Sequence, residues 1–93
     1  EITLLKVWAQ KELERCRVNG IHGWYRRAEF QNALIEHYFT IRQKRFWGPK
    51  AGIILLKEND RSTYRLYAQS LKNPTNMRLL KAAASRVYRV SLV

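Results

Sequence analysis

The stretch that most restricts how this chain can fold is WYRRAEFQNALIEHYFTIRQKR, Trp24 to Arg45. Phe30, Ala33, Leu34, His37, Tyr38 and Ile41 recur at i, i+3, i+4, i+7, i+8 and i+11, which sets them on one stripe of a 3.6-residue helix. The chain then meets Phe46-Trp47-Gly48-Pro49-Lys50. Glycine closes helices because it accepts the left-handed conformation, and proline suits a first helical turn because its missing N–H would have no intrahelical partner there. The pattern therefore predicts a long amphipathic helix from Trp24, ended by Gly48, with a new element opening at Pro49. Arg26, Ala33, His37 and Lys44 are expected to line one edge of the stripe.

The remaining breakers divide the chain into further short elements. Ile2 to Asn19 reads as a first helix with Leu5, Trp8, Leu13 and Cys16 inward and Thr3 as a candidate cap, stopped by Asn19-Gly20. Pro49 to Glu58 is apolar all round at Ile53 to Leu56, so periodicity alone does not separate buried helix from buried strand. Pro49, Lys57 near the end and the Asn59 stop favour helix. Asp60 or Ser62 can cap a fourth helix with Tyr64, Tyr67, Ala68 and Leu71 inward. Asn73-Pro74 breaks that helix, and Thr75 or Asn76 can cap a fifth carrying Met77, Leu79, Leu80, Ala83, Ala84, Val87 and Val90. The expected fold is all-α, a small bundle of about five helices. Ninety-three residues suffice for one domain. The chain opens on Glu1, and the expectation is a single domain, 1–93, cut from a longer protein.

Several function classes find no support. No run of about 18 or more apolar residues is present to span a bilayer, and a cytoplasmic setting is expected. Cys16 is the single cysteine and His22 and His37 are the only histidines, a poor stock for a metal site. Cys16, three residues from Leu13, reads as a small buried hydrophobe. Walker, G-x-G-x-x-G, G-x-S-x-G and H-E-x-x-H motifs are all missing from the chain. Glu12 and Glu14, two apart on a helix, point in different directions and make poor co-ligands for magnesium. Arg17 and His22 share the spacing of an arginine–histidine motif found in helical ribonucleases. Val18 stands where that motif is usually polar, and Asn19-Gly20 interrupts the helix, so the spacing is read as chance. No catalytic residues and no metal ligands are assigned.

The composition leaves two readings open, a solvated basic surface kept soluble by its charge and a surface for an anionic partner. A formal charge of +11 on 93 residues attracts nucleic acid, nucleotide phosphates or an acidic protein face. Arg26 and Arg27 oppose the dipole of their own helix at its start, which fits residues answering to an outside group and fits simple surface tolerance equally well. Arg26, Arg27, His37, Arg42, Lys44 and Lys50 are the candidate ligand- or phosphate-binding residues, although a histidine on an apolar stripe, as His37 is, reads more readily as a satisfied core residue. Tyr38 and Trp47, among these cations, could stack on a base, while Phe46 and Trp47 could equally plug the core. After Asp60 no acid occurs, and Arg61, Arg65, Arg78, Lys81 and Arg89 form a candidate secondary basic surface.

RRAEFQNALIEHYFTIRQKRFWGPK, continuing into AGIILLKENDRSTYRLYAQSLKNP, resembles the C-terminal helical domain of bacterial nucleotidyltransferases of the polymerase-beta superfamily, among them aminoglycoside-adenylyltransferase relatives. The matching positions are Arg27, Glu29, Ala33, Leu34, Tyr38, Phe39, Trp47, Gly48, Pro49, Lys50 and Lys57 to Asp60, within roughly residues 24–90. The resemblance implies an accessory domain that helps form the acceptor or nucleotide pocket beside a catalytic domain. That domain's Gly-Ser and paired-Asp segment is missing from these 93 residues. ATP and Mg would accordingly be expected only in the catalytic domain, with no cofactor in this segment. A basic surface does not suit a cationic drug acceptor. Expected partners are an N-terminal catalytic domain or a phosphate-bearing ligand. The alternatives left open are a free-standing nucleic-acid-binding module, an interaction domain for an acidic protein, and pairing with a second copy.

Overall fold

The computed structural model describes residues 2–93 as five α-helices, with no strand among them. They are α1 (Ile2–Cys16), α2 (Ile21–Ile41), α3 (Pro49–Asn59), α4 (Arg61–Lys72) and α5 (Met77–Tyr88). None is long and apolar enough to cross a membrane.

Three of the starts follow the expected chemistry. Asp60 accepts from the Thr63 N–H at 3.3 Å and caps α4, Asn76 accepts from the Leu79 N–H at 3.1 Å and caps α5, and Pro49 opens α3. The start of α2 differs from expectation: it begins at Ile21, three residues before Trp24. Gly20, at φ 91°, sits just outside, and Gly23 packs so closely on the Val18 carbonyl that a Cβ would lie 1.7 Å from its oxygen. The Asn19-Gly20 stop is thus followed by a second glycine, Gly23, that lets α2 fold back tightly on α1. Thr3 lies inside α1 and does not cap it.

The end of α2 also departs from expectation. The helix stops at Ile41, well short of Arg45, and Gly48 serves as the N-cap of α3 at φ 99°. What stops α2 is a left-handed residue at Gln43, φ 57°: the Gln43 N–H bonds the Thr40 carbonyl at 3.0 Å and the Lys44 N–H bonds the Phe39 carbonyl at 2.9 Å. That paired arrangement satisfies two carbonyls that would otherwise be orphaned. Helix α5 ends in the same way, with Arg89 at φ 56° and the Val90 N–H on the Ser85 carbonyl at 3.2 Å.

The core gathers where α1, α2 and α5 meet. Phe30 stacks on Tyr88, rings 6.3 Å apart and nearly parallel, and takes the Trp8 ring edge-on at 5.7 Å. Leu13, Cys16, Leu34, Leu80 and Val87 surround them, each almost fully buried. Cys16 is packed as the sequence implied, and burial pushes its thiol up to about 11, so it stays protonated and unreactive. The fully buried helix expected at Ile53 to Leu56 is half exposed: Leu56 points in while Ile54 faces solvent, because α3 covers only one side of α2 and α4. Leu71 is likewise exposed near the end of α4.

Candidate functional site: a basic cleft between two helix ends

The C-termini of α2 and α5 lie side by side, and one residue holds them there. Arg42, immediately after α2, donates through Nη1 to the Tyr38 carbonyl at 3.1 Å and to the Val87 carbonyl at 3.0 Å, and through Nη2 to the Arg86 carbonyl at 3.2 Å. All three acceptors belong to last helical turns, whose carbonyls have no intrahelical partner and carry the negative end of the dipole. The guanidinium also lies 3.7 Å above the Tyr38 ring. Burial and the nearby Arg89 lower the pKa of Arg42, yet a guanidinium remains charged at any physiological pH.

Around this clip opens a polar cleft of about 620 Å³, lined by Tyr38, Ile41, Arg42, Gln43, Lys44, Asp60 and Arg89. Its floor is fixed by Asp60, which accepts from the Tyr38 hydroxyl at 2.9 Å and the Thr63 hydroxyl at 2.8 Å. Burial alone would raise the Asp60 carboxyl. The hydrogen bonds from Thr63, Tyr38 and Ser62 outweigh that and hold it below the usual carboxylate range. Desolvation and the Asp60 contact push the Tyr38 phenol up, so at neutral pH it is a donor.

Lys44 and Arg89 make no side-chain hydrogen bond or ion pair among the described residues, and both are exposed. They stand on, or next to, the two left-handed positions that end α2 and α5. Left-handed backbone at a non-glycine residue costs roughly 1–2 kcal/mol, and strain of that kind collects at functional sites. Here both non-glycine instances among the described residues, Gln43 and Arg89, line the same cleft.

The other candidates are distributed differently. Arg26 lies 3.8 Å from the buried carboxylate of Glu12, which also pairs with Arg15, so its unfavourable place near a helix start is answered from within the protein. Arg27 faces a separate cavity between α2 and the α4–α5 turn. The Nδ1 of His37 is 2.6 Å from the Tyr88 hydroxyl, with its ring edge-on to Trp8. That makes it a satisfied interior histidine. Lys50 is exposed on the first turn of α3 and does not line the cleft. The expected edge of Arg26, His37 and Lys44 therefore does not form, because α2 stops before Lys44 and His37 turns inward.

Of the stacking candidates, Tyr38 is buried under Arg42 and has no free face to offer. Trp47 is 62% exposed, with the Arg45 guanidinium 4.2 Å over its ring, whereas Phe46 tucks against Phe39 and Gly52. Only Phe46 is thus the core plug. The secondary surface also divides. An Arg86–Ser62 contact sets the start of α4 beside the end of α5. Arg61 and Arg65 accordingly lie toward one end of that helix pair, and Arg78 and Lys81 toward the other. Arg89 leaves them and joins Arg42 and Lys44. Arg17 donates to the Val93 carbonyl at 3.0 Å, away from the exposed His22.

Asp60 and Gln43 were not singled out as site residues in the sequence. Asp60 was legible as a cap, while nothing in Ile41-Arg42-Gln43-Lys44 marks a left-handed turn, since neither glycine nor asparagine is present. Among the described residues, no group of three or more His, Cys, Asp or Glu side chains is placed to hold a metal ion. No protein-family model, curated protein or solved structure matches the chain.

Proposed function

We propose that this chain is a non-catalytic helical accessory domain that presents the cleft at the ends of α2 and α5 to a phosphate-bearing ligand, beside a nucleotidyltransferase catalytic domain. The observation that carries the reading is the pair of unpartnered cations, Lys44 and Arg89, flanking a guanidinium already clipped to backbone carbonyls. Arg42 is occupied in holding the helices, so its charge sets the local field while Lys44 and Arg89 have donors free for phosphate oxygens. Asp60, tied up by three hydroxyl groups and a backbone N–H, orients the floor and competes little for those cations. The resemblance of residues 24–90 to helical domains of nucleotidyltransferases supplies the proposed catalytic neighbour.

Titration with ATP tests the reading. Binding that weakens at least tenfold in a Lys44→Ala/Arg89→Ala variant supports it, and equal binding by that variant contradicts it. A parent reading frame without a Gly-Ser and paired-Asp segment, with no neighbouring chain that supplies one, would remove the accessory role and leave the cleft as a free-standing site.

A second reading, a single-stranded nucleic-acid-binding module, is favoured by Trp47. The ring is exposed three residues beyond Lys44, within about 10 Å of chain even at full extension, and a base could stack there while its phosphate reached the cleft. Preference for an oligonucleotide over ATP, lost in Trp47→Ala, would favour this second reading.

A further inference from the structure

A second cavity lies on the opposite length of α2, and its chemistry is unlike that of the basic cleft. Trp24, Arg27, Ala28 and Gln31 recur at i, i+3, i+4 and i+7, so they share one face of the helix, and Pro74 and Thr75 of the α4–α5 turn close over them. The space is about 210 Å³. Its walls are the Trp24 ring, the Ala28 methyl group and the Pro74 ring.

Two polar groups meet these walls. Gln31 is 94% buried, as its 6% exposure states, and its Nε2 donates to the Ser70 carbonyl at 2.8 Å. A carbonyl accepts only from the amide nitrogen, so this bond settles the orientation of the amide and leaves Oε1 as the other edge. No donor among the described residues reaches Oε1, and it is not sealed away from solvent. It is a fixed acceptor on a side chain that lines the cavity. Arg27, at the same cavity, makes no hydrogen bond or ion pair among the described residues. Arg26 has the Glu12 carboxylate, whereas its neighbour Arg27 is left with a free guanidinium.

We propose that this cavity binds a small planar heterocycle bearing an N–H donor on one edge and an anionic substituent on another. The ring lies against Trp24, its N–H donates to Gln31 Oε1, and the anion meets Arg27. The volume admits one ring system. The site is independent of Lys44 and Arg89.

Three probes separate the contributions: orotate has ring, N–H and carboxylate, uracil lacks the anion, and benzoate lacks the N–H donor. For a ligand of about eleven non-hydrogen atoms a Kd of about 1 mM is expected. Binding is read by NMR from the three tryptophan indole N–H resonances, with the Trp24 signal assigned from Trp24→Phe. The expected result is a saturable shift of the Trp24 resonance by orotate, with uracil and benzoate each about tenfold weaker. Arg27→Ala, read from the same Trp24 resonance, should bring orotate down to the level of uracil. The Gln31 acceptor is tested through the ligand, because Gln31 also ties α2 to α4. Three results would overturn the proposal: no shift at saturating orotate in folded protein, benzoate binding as tightly as orotate, or orotate binding lost in Lys44→Ala/Arg89→Ala.

Discussion

Arg42 donates its Nη1 to the carbonyl of Val87 at 3.0 Å, a bond that joins the end of α2 to the end of α5 across 45 positions of sequence. The same nitrogen also bonds the Tyr38 carbonyl one turn back, and the other terminal nitrogen takes the Arg86 carbonyl. A lysine has the charge but not the planar fork needed to hold carbonyls of two helices at once. Arg42→Lys is expected to destabilise the fold by about 1.5–3 kcal/mol, the range for hydrogen bonds to charged groups. The check is urea denaturation. An unchanged midpoint would show that the clip is incidental.

The left-handed turn at Gln43 predicts a gain in stability from the residue usually found there. Glycine removes roughly 1–2 kcal/mol of left-handed strain and returns about 0.5–1 kcal/mol of added chain entropy. Gln43→Gly should therefore stabilise the domain by about 0.5 kcal/mol or slightly more while leaving every charge of the cleft in place. Thermal melting measures this, and a fall in Tm would mean that the glutamine side chain contributes more than its backbone costs.

His37 predicts a pH dependence of stability. Burial against Trp8 and Tyr88 lowers its pKa below the ordinary 6.5, with Glu36 opposing. The folded chain then resists a proton that the unfolded chain accepts. Stability is full above the unfolded value and falls as pH drops below about 6.5, until the folded pKa is reached. Denaturation at about pH 7.5 and pH 5.5 should show the fall, and His37→Gln should flatten it. The exposed His22 serves as the control: a flattening in His22→Gln in place of His37→Gln would show that the effect was assigned to the wrong histidine.

The five helices were legible because Gly, Pro, Asn and Asp punctuate the sequence and the apolar stripes between them are long. Asp60, Asn76 and Pro49 each act where their chemistry places them. The cleft was only partly legible. Arg42 and Lys44 stood out as cations near a helix end. The stop of α2 at Ile41 depends on the left-handed Gln43 and the end of α5 on the left-handed Arg89, and neither belongs to a glycine or asparagine pattern. The joining of Arg89 to Arg42 is a tertiary event set by how α5 packs on α2. His37 and Arg26 looked like ligand groups because a sequence records charge and spacing but not the partner: Tyr88 lies 51 positions from one, and Glu12 lies on a different helix from the other.

The most direct test of the proposal that the cleft takes phosphate is the salt dependence of affinity for a short single-stranded oligonucleotide. A cation that contacts phosphate contributes about one unit to the slope of log K against log salt. Lys44→Ala and Arg89→Ala are each expected to lower the slope by about 1, while Arg78→Ala and Lys81→Ala, toward the other end of the α4–α5 pair, should change it much less. Equal losses at all four positions would show a diffuse field from the +11 charge, and no binding at low salt would show that the cleft does not take phosphate at all.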